Sequence, residues 1–147
     1  MTESFDLDRF VRAQAPVMAQ VRSELKAGRK STHWMWFVFP QISGLGHSPS
    51  ARLYAIASLD EAKAYLAHQV LGHRLVECTG LVNAIEGRTA QEIFGSPDDI
   101  KFRSSMTLFS LAGPDKPAFG TALEKYFEGS MDQRTLELLG KAQDRAG

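Results

Sequence analysis

One cysteine in 147 residues excludes an intrachain disulfide and any cage of several cysteines around a metal. Cys78 falls inside an apolar helical pattern, and free cysteine is among the most buried residue types, so it reads as a small hydrophobe rather than a catalytic thiol. Neither sign of charge is in excess, with 17 Lys plus Arg against 17 Asp plus Glu. That balance provides no global steering toward a nucleic acid polymer or an anionic membrane. Long apolar runs are missing too: the longest, Trp34 to Pro40, is far short of the roughly 20 residues a membrane helix needs. The N-terminal MTESFDLDRF has no basic and then apolar stretch, so no secretory leader is expected and the expected compartment is the cytoplasm. Also absent are an HExxH zinc pattern, a GxGxxG after a strand, a Walker-type lysine and a GxSxG elbow. His68 and His73 fall on different helix faces, so neither a metal site nor a cofactor is expected.

What the chain has is helical patterning. Hydrophobic residues at 44% and charged residues at 23% are ordinary globular composition, enough for a core without staples. Asp6 or Asp8 can cap a first helix carrying Phe10, Val11 and Gln14; Pro16 suits the first turn of a second, with Val17, Val21 and Leu25 on one stripe and Gly28 as its stop. Ser48-Pro49 opens a helix expected to run through Ala57 with Leu53 and Ile56 inward. Ser58 to Glu61 and Thr89 to Glu92 have the spacing of capping boxes. Leu71, Leu75, Cys78, Val82 and Ile85 share one face of a longer helix, stopped by Gly87. A helix from Ser96-Pro97 through Leu111 is expected to bury Ile100, Phe102, Met106 and Phe109. Pro117 starts another, and Asp132 caps a last one with a polar tail, expected to fray, from Gly140. Neither a repeat nor a linker interrupts the pattern. The expectation is a compact all-α, multihelical single domain.

Lys30 to Gly46, KSTHWMWFVFPQISGLG, holds both tryptophans and is the stretch around which the chain is organised. Its Trp34 to Phe39 core has the aromatic and β-branched content of a buried strand. Ser31 or Thr32 ahead of it and Pro40 behind suit a short helix equally, and a lone strand has no partner, so helix is favoured.

Several blocks carry a family resemblance: Arg9-Phe10 with Ala13-Gln14, His33-Trp-Met-Trp-Phe, Phe39-Pro-Gln41 before Gly44-Leu-Gly46, Ile93-Phe-Gly95, and Ser104-Ser-Met-Thr-Leu-Phe109. Together they resemble the bacterial family known as domain of unknown function 1810, over nearly the whole chain. The resemblance implies a multihelical single domain and a helical Trp34 to Phe39. It implies no activity.

Two stretches combine aromatic, cationic and hydrogen-bonding groups. In the first, Trp34 and Trp36 offer flat faces on which a base can stack, worth roughly 1–3 kcal/mol per base. Lys30 is a cation for phosphate, Ser31 and Gln41 are polar neighbours, and His33 is the candidate acid or base. The competing explanation is that the indoles are core. Gly44 and Gly46 lie in a loop feeding a helix start, which offers N–H groups to an anion, or else simply makes a tight turn. In the second stretch Lys101, Ser104 and Ser105 recur at helical spacing, and serine is a poor choice mid-helix unless packing or a ligand requires it. The expected site is a pocket for an anionic, nucleotide-like small molecule where the two stretches meet. A protein-interaction surface of exposed aromatics is the alternative. Thr89→Ala is expected to lower stability by about 1 kcal/mol through loss of the cap; an unchanged thermal melt would place that helix start elsewhere.

Overall fold

The computed structural model describes residues 5–146, with side chains described as far as Gly140. Its helices are α1 (Asp8–Gln14), α2 (Met18–Ala27), α3 (Met35–Val38), α4 (Pro49–Leu53), α5 (Leu59–Ala67), α6 (Leu71–Asn83), α7 (Ala90–Phe94), α8 (Asp98–Ala112), α9 (Pro117–Phe127) and α10 (Gln133–Ala146). Among the described residues there is no strand, only one isolated parallel bridge between Ile42 and Ile56. The domain is all-α and single.

Local chemistry fixes most of the boundaries. Ser48 Oγ accepts from the Ala51 N–H at 3.1 Å with Pro49 in the first turn. Thr89 and Glu92 complete a reciprocal capping box at 3.1 and 2.8 Å. Asp132 accepts the Thr135 N–H at 3.0 Å ahead of α10, and Gly28 closes α2 in the left-handed region. Trp34 to Phe39 holds a single helical turn, α3.

Some expected details differ. Leu7, not an aspartate, precedes α1, and Asp8 pairs instead with Arg12 on the surface. The second helix begins two positions after Pro16, at Met18. The hydroxyls of Ser31 and Thr32 do not cap α3, whose cap position is Trp34, because Thr32 is held elsewhere by Glu24. α4 stops at Leu53, Tyr54 makes the turn that closes it, and the chain is extended only around Ile56. The helix does not continue to Ile56, which is buried at the bridge, and Leu53 at the end of α4 is left 56% exposed. Ile100 is 57% exposed because residues two apart on a helix face nearly opposite ways, and Phe102 takes the buried side.

The core is organised around α8, which packs against α5, α7, α9 and α10. Phe102 and every residue from Ser104 to Phe109 are buried. Phe39, Phe94 and Phe102 form a three-ring cluster, with Phe39 edge-on to both others. Buried Gln14 ties α1 across the core: its Nε2 donates to the Phe37 carbonyl at 2.6 Å and to Tyr65 Oη at 2.9 Å. Cys78 is buried, and desolvation pushes its thiol up to about 12, which keeps it an inert core group.

α5 and α6 approach so closely that a Cβ on Gly72 would lie 2.1 Å from the Leu66 carbonyl oxygen, whereas one on Gly80 would meet nothing within 4 Å. Two substitutions in one helix therefore have opposite signs. Gly72→Ala is expected to destabilise by about 3 kcal/mol or more through overpacking against backbone, and Gly80→Ala to be neutral or to stabilise by about 0.5–1 kcal/mol. Chemical denaturation of the two variants checks both; equal effects would contradict the close approach.

Candidate functional site

The loop before α3 is wrapped around one carboxylate. Glu24, on α2, is 4% exposed. Its Oε1 accepts the Ser31 N–H at 2.7 Å, the Thr32 N–H at 3.0 Å and the Trp34 Nε1–H at 3.0 Å. Its Oε2 accepts from Thr32 Oγ1 at 2.5 Å and Gln20 Nε2 at 2.9 Å. Burial by itself would raise the Glu24 pKa, but these hydrogen bonds outweigh it and hold the carboxyl at about 2. Trp34 is consequently core, its N–H satisfied by Glu24. Sequence reasoning passed over Glu24. The available signals were a carboxylate beside the Val21–Leu25 stripe and a tryptophan in need of an N–H acceptor.

The two aromatic stretches do meet, and Asp98 joins them. Lys30 Nζ lies 2.9 Å from Asp98 Oδ2 and Lys101 Nζ lies 3.4 Å from Oδ1. Each ammonium also faces an indole: Lys30 stands 5.1 Å from the Trp34 ring centre, and Lys101 stands 5.4 Å from that of Trp36. Lys30 has only 7% of its side chain exposed, so its carboxylate partner offsets a desolvation cost. Both lysines are therefore committed to the fold's own charge network. Asp98, in the first turn of α8, is the anion that they share.

Ser104 and Ser105 depart from the expected arrangement. Both are buried within α8. Ser104 Oγ donates back to the Ile100 carbonyl at 3.2 Å, while Ser105 Oγ is buried without a hydrogen-bond partner among the described residues. Helices pack around α8 on several sides, and small side chains allow that approach; neither serine lines a cavity described here. His33 is exposed and also lines neither.

A cavity of about 270 Å³ lies beside α3, against the loop after it and α4. Its polar and aromatic lining is Trp36, Gln41, Ser43, His47, Arg52 and Tyr54, with Ile42, Gly44, Gly46, Ala51 and Ala55 completing the wall. Four residues expected from the sequence, Trp36, Gln41, Gly44 and Gly46, come together here; Arg52, His47 and Tyr54 were not foreseen. Gly44 has φ +106° and faces Leu138 of α10 at 3.1 Å from where a Cβ would sit. A Cβ on Gly46 would lie 2.5 Å from that of Ala51, so this loop closes onto α4 only with glycine there. The N–H groups of Gly44 and Gly46 have no backbone acceptor among the described residues. Arg52 forms no ion pair among the described residues. A wider, shallower hollow of about 600 Å³ lies along α2 and includes Arg29, Lys30 and Ser31.

No aromatic side chain among the described residues is fully exposed; the exposed large hydrophobics are Leu53, Val70, Ile100 and Leu111. Among the described residues no helix is long and apolar enough to cross a membrane.

A family model described as protein of unknown function (DUF1810) matches residues 4–139. The chain belongs to the DUF1810 family. A crystal structure of a conserved hypothetical protein from Mycobacterium tuberculosis, Rv1873, is 59% identical; the alignment covers 94% of this chain and 99% of that one, with a TM-score of 0.92. No curated protein matches. Within the DUF1810 fold, the His33-Trp-Met-Trp-Phe block is thus explained in large part by Glu24, Asp98 and the core.

The Glu24 carboxyl makes stability depend on pH. Its folded value of about 2 lies below the ordinary 4.5, so its contribution is present above about 4.5 and is lost as pH falls toward about 2. A depression of that size corresponds to about 3 kcal/mol. Glu24→Gln is expected to be less stable than wild type at pH 7, and the gap should narrow on acidification. Urea melts at several pH values between 7 and 2 check this; a pH-independent gap would contradict the carboxylate's role.

Proposed function

We propose that this protein binds a small, ring-bearing anion in the cavity beside α3, with a nucleoside monophosphate as the nearest chemical class. The observation behind this reading is the combination, around one hollow, of aromatic faces with cationic and N–H groups that have no partner among the described residues. Trp36 and Tyr54 supply the ring surfaces. Arg52, His47 and the N–H groups of Gly44 and Gly46, which have no acceptor among the described residues, supply the anion-facing side. Gln41 and Ser43 are the remaining hydrogen-bonding groups, and an amide can both donate to and accept from a base edge.

Size narrows the class. About 270 Å³ is at the small end of ligand pockets, suited to one ring system and one anionic group rather than a dinucleotide. The reading keeps Trp36, Gln41, Gly44 and Gly46 from the sequence-based site and takes Arg52 rather than Lys30 or Lys101 as the charged group. Both lysines already share Asp98. His33 lies outside this cavity, and the reading includes no turnover.

Titration with adenosine, guanosine, cytidine and uridine monophosphates, and with inorganic phosphate, tests the assignment through tryptophan fluorescence and thermal shift. At least one nucleoside monophosphate is expected to bind below about 1 mM. Trp36→Phe is expected to abolish the fluorescence response, Arg52→Ala to weaken binding about tenfold or more, and Ser104→Ala to leave it unchanged. Binding that is insensitive to both Trp36→Phe and Arg52→Ala, or no binding by any of the five, would overturn it.

A further inference from the structure

The wall of the cavity formed by Arg52, Tyr54 and Ala55 runs from the last turn of α4 into a short extended segment around Ile56, and among the described residues no strand holds the outer edge of that segment. On its inner edge the segment is paired: the Ile56 N–H donates to the Gln41 carbonyl at 2.8 Å, and the Ser43 N–H donates to the Ile56 carbonyl at 2.8 Å. On the other edge the partners are side chains. Arg9 Nε donates to the Leu53 carbonyl at 2.8 Å and its Nη2 donates to the Ala55 carbonyl at 2.8 Å. The same Nη2 lies 3.2 Å from Glu61 Oε2, and Glu61 Oε1 accepts the Ala57 N–H at 2.7 Å. The Ala55 carbonyl and the Ala57 N–H are two residues apart, the spacing that one edge of a paired strand presents, and the Leu53 carbonyl beside them is the last of α4.

We propose that the Arg9–Glu61 pair takes the place of a missing edge strand, and so acts as the positioning device for the Tyr54 wall of the cavity. Both side chains are largely buried, at 14% and 4% exposed, so the pair is an internal fixture of the domain. The guanidinium is suited to this because its planar fork reaches two carbonyls and a carboxylate together, which an ammonium does not. Its plane also covers the Phe10 ring, 4.3 Å from the centre, and Phe10 and Phe37 in turn flank Tyr54 at 5.8 and 5.3 Å. Glu61 reaches the segment because it begins α5, where Ser58 Oγ already accepts its N–H at 3.1 Å. Its carboxylate is then free to turn outward to Ala57 rather than back to Ser58. Positioning by this pair has functional meaning only through the ligand reading of the cavity, on which it rests.

Amide hydrogen exchange separates the two ideas. Ser43 and Ile56 N–H groups touch neither Arg9 nor Glu61, yet their protection depends on the segment staying in place. Arg9→Ala and Glu61→Gln are expected to speed exchange at both amides at least about tenfold more than at Phe109 in the core of α8. Arg9→Lys, which keeps the charge and loses the fork, is expected to behave like Arg9→Ala. Adenosine monophosphate titrations of the same variants are expected to show weakening that follows the exchange at Ile56. Uniform acceleration across all three amides, or full protection in Arg9→Lys, would overturn the edge-strand role. Exchange that responds as expected in a protein that binds no nucleoside monophosphate would uphold positioning while removing the ligand reading.

Discussion

A buried carboxylate with five donors converging on it is the interaction from which the rest of this structure follows. Ionised Glu24 is tolerable inside the domain only because both oxygens are saturated by Gln20, Ser31, Thr32 and Trp34. Meeting that requirement folds the loop after α2 back onto its own helix and draws Trp34 into the core. The position of Trp34 then fixes where Lys30 and the single turn of α3 must lie. Asp98 completes the arrangement from α8 by accepting both Lys30 and Lys101. A polar network thus carries the register between the N-terminal third of the chain and the central helix, while the phenylalanine cluster supplies the apolar contact behind it.

This network changes the chemical meaning of the residues that look most functional. Lysine beside tryptophan suggests a stacked, anionic ligand when read along the chain. In space the two lysines have one carboxylate between them and each has its own indole. The groups without a protein partner among the described residues lie a few residues further on, where the chain turns through Gly44 and Gly46 toward α4. Arg52, in the last turn of α4, and Tyr54, in the turn that closes that helix, both line that hollow. The candidate site is therefore adjacent to the aromatic block, with Trp36 as the residue common to both.

Membership in the DUF1810 family and the likeness to the mycobacterial protein Rv1873 describe the fold over almost its full length. Neither transfers an activity. The functional reading rests on the cavity and the groups that line it.

Sequence by itself determined the all-α class, the single domain and most helix limits, because caps, prolines and glycine stops act over a few residues and leave their mark in order along the chain. Ser48-Pro49, Thr89 to Glu92 and Asp132 are instances. It also singled out Trp36, Gln41, Gly44 and Gly46, which do line one cavity. Tertiary structure alone decided which charges are already neutralised and which hydroxyls are buried, since Asp98, Glu24 and the helices around α8 reach their partners through space. The same physics hid the early end of α4 and the extended stretch around Ile56: its outer groups are taken by Arg9, more than forty residues away in the chain, together with Glu61 of the next helix.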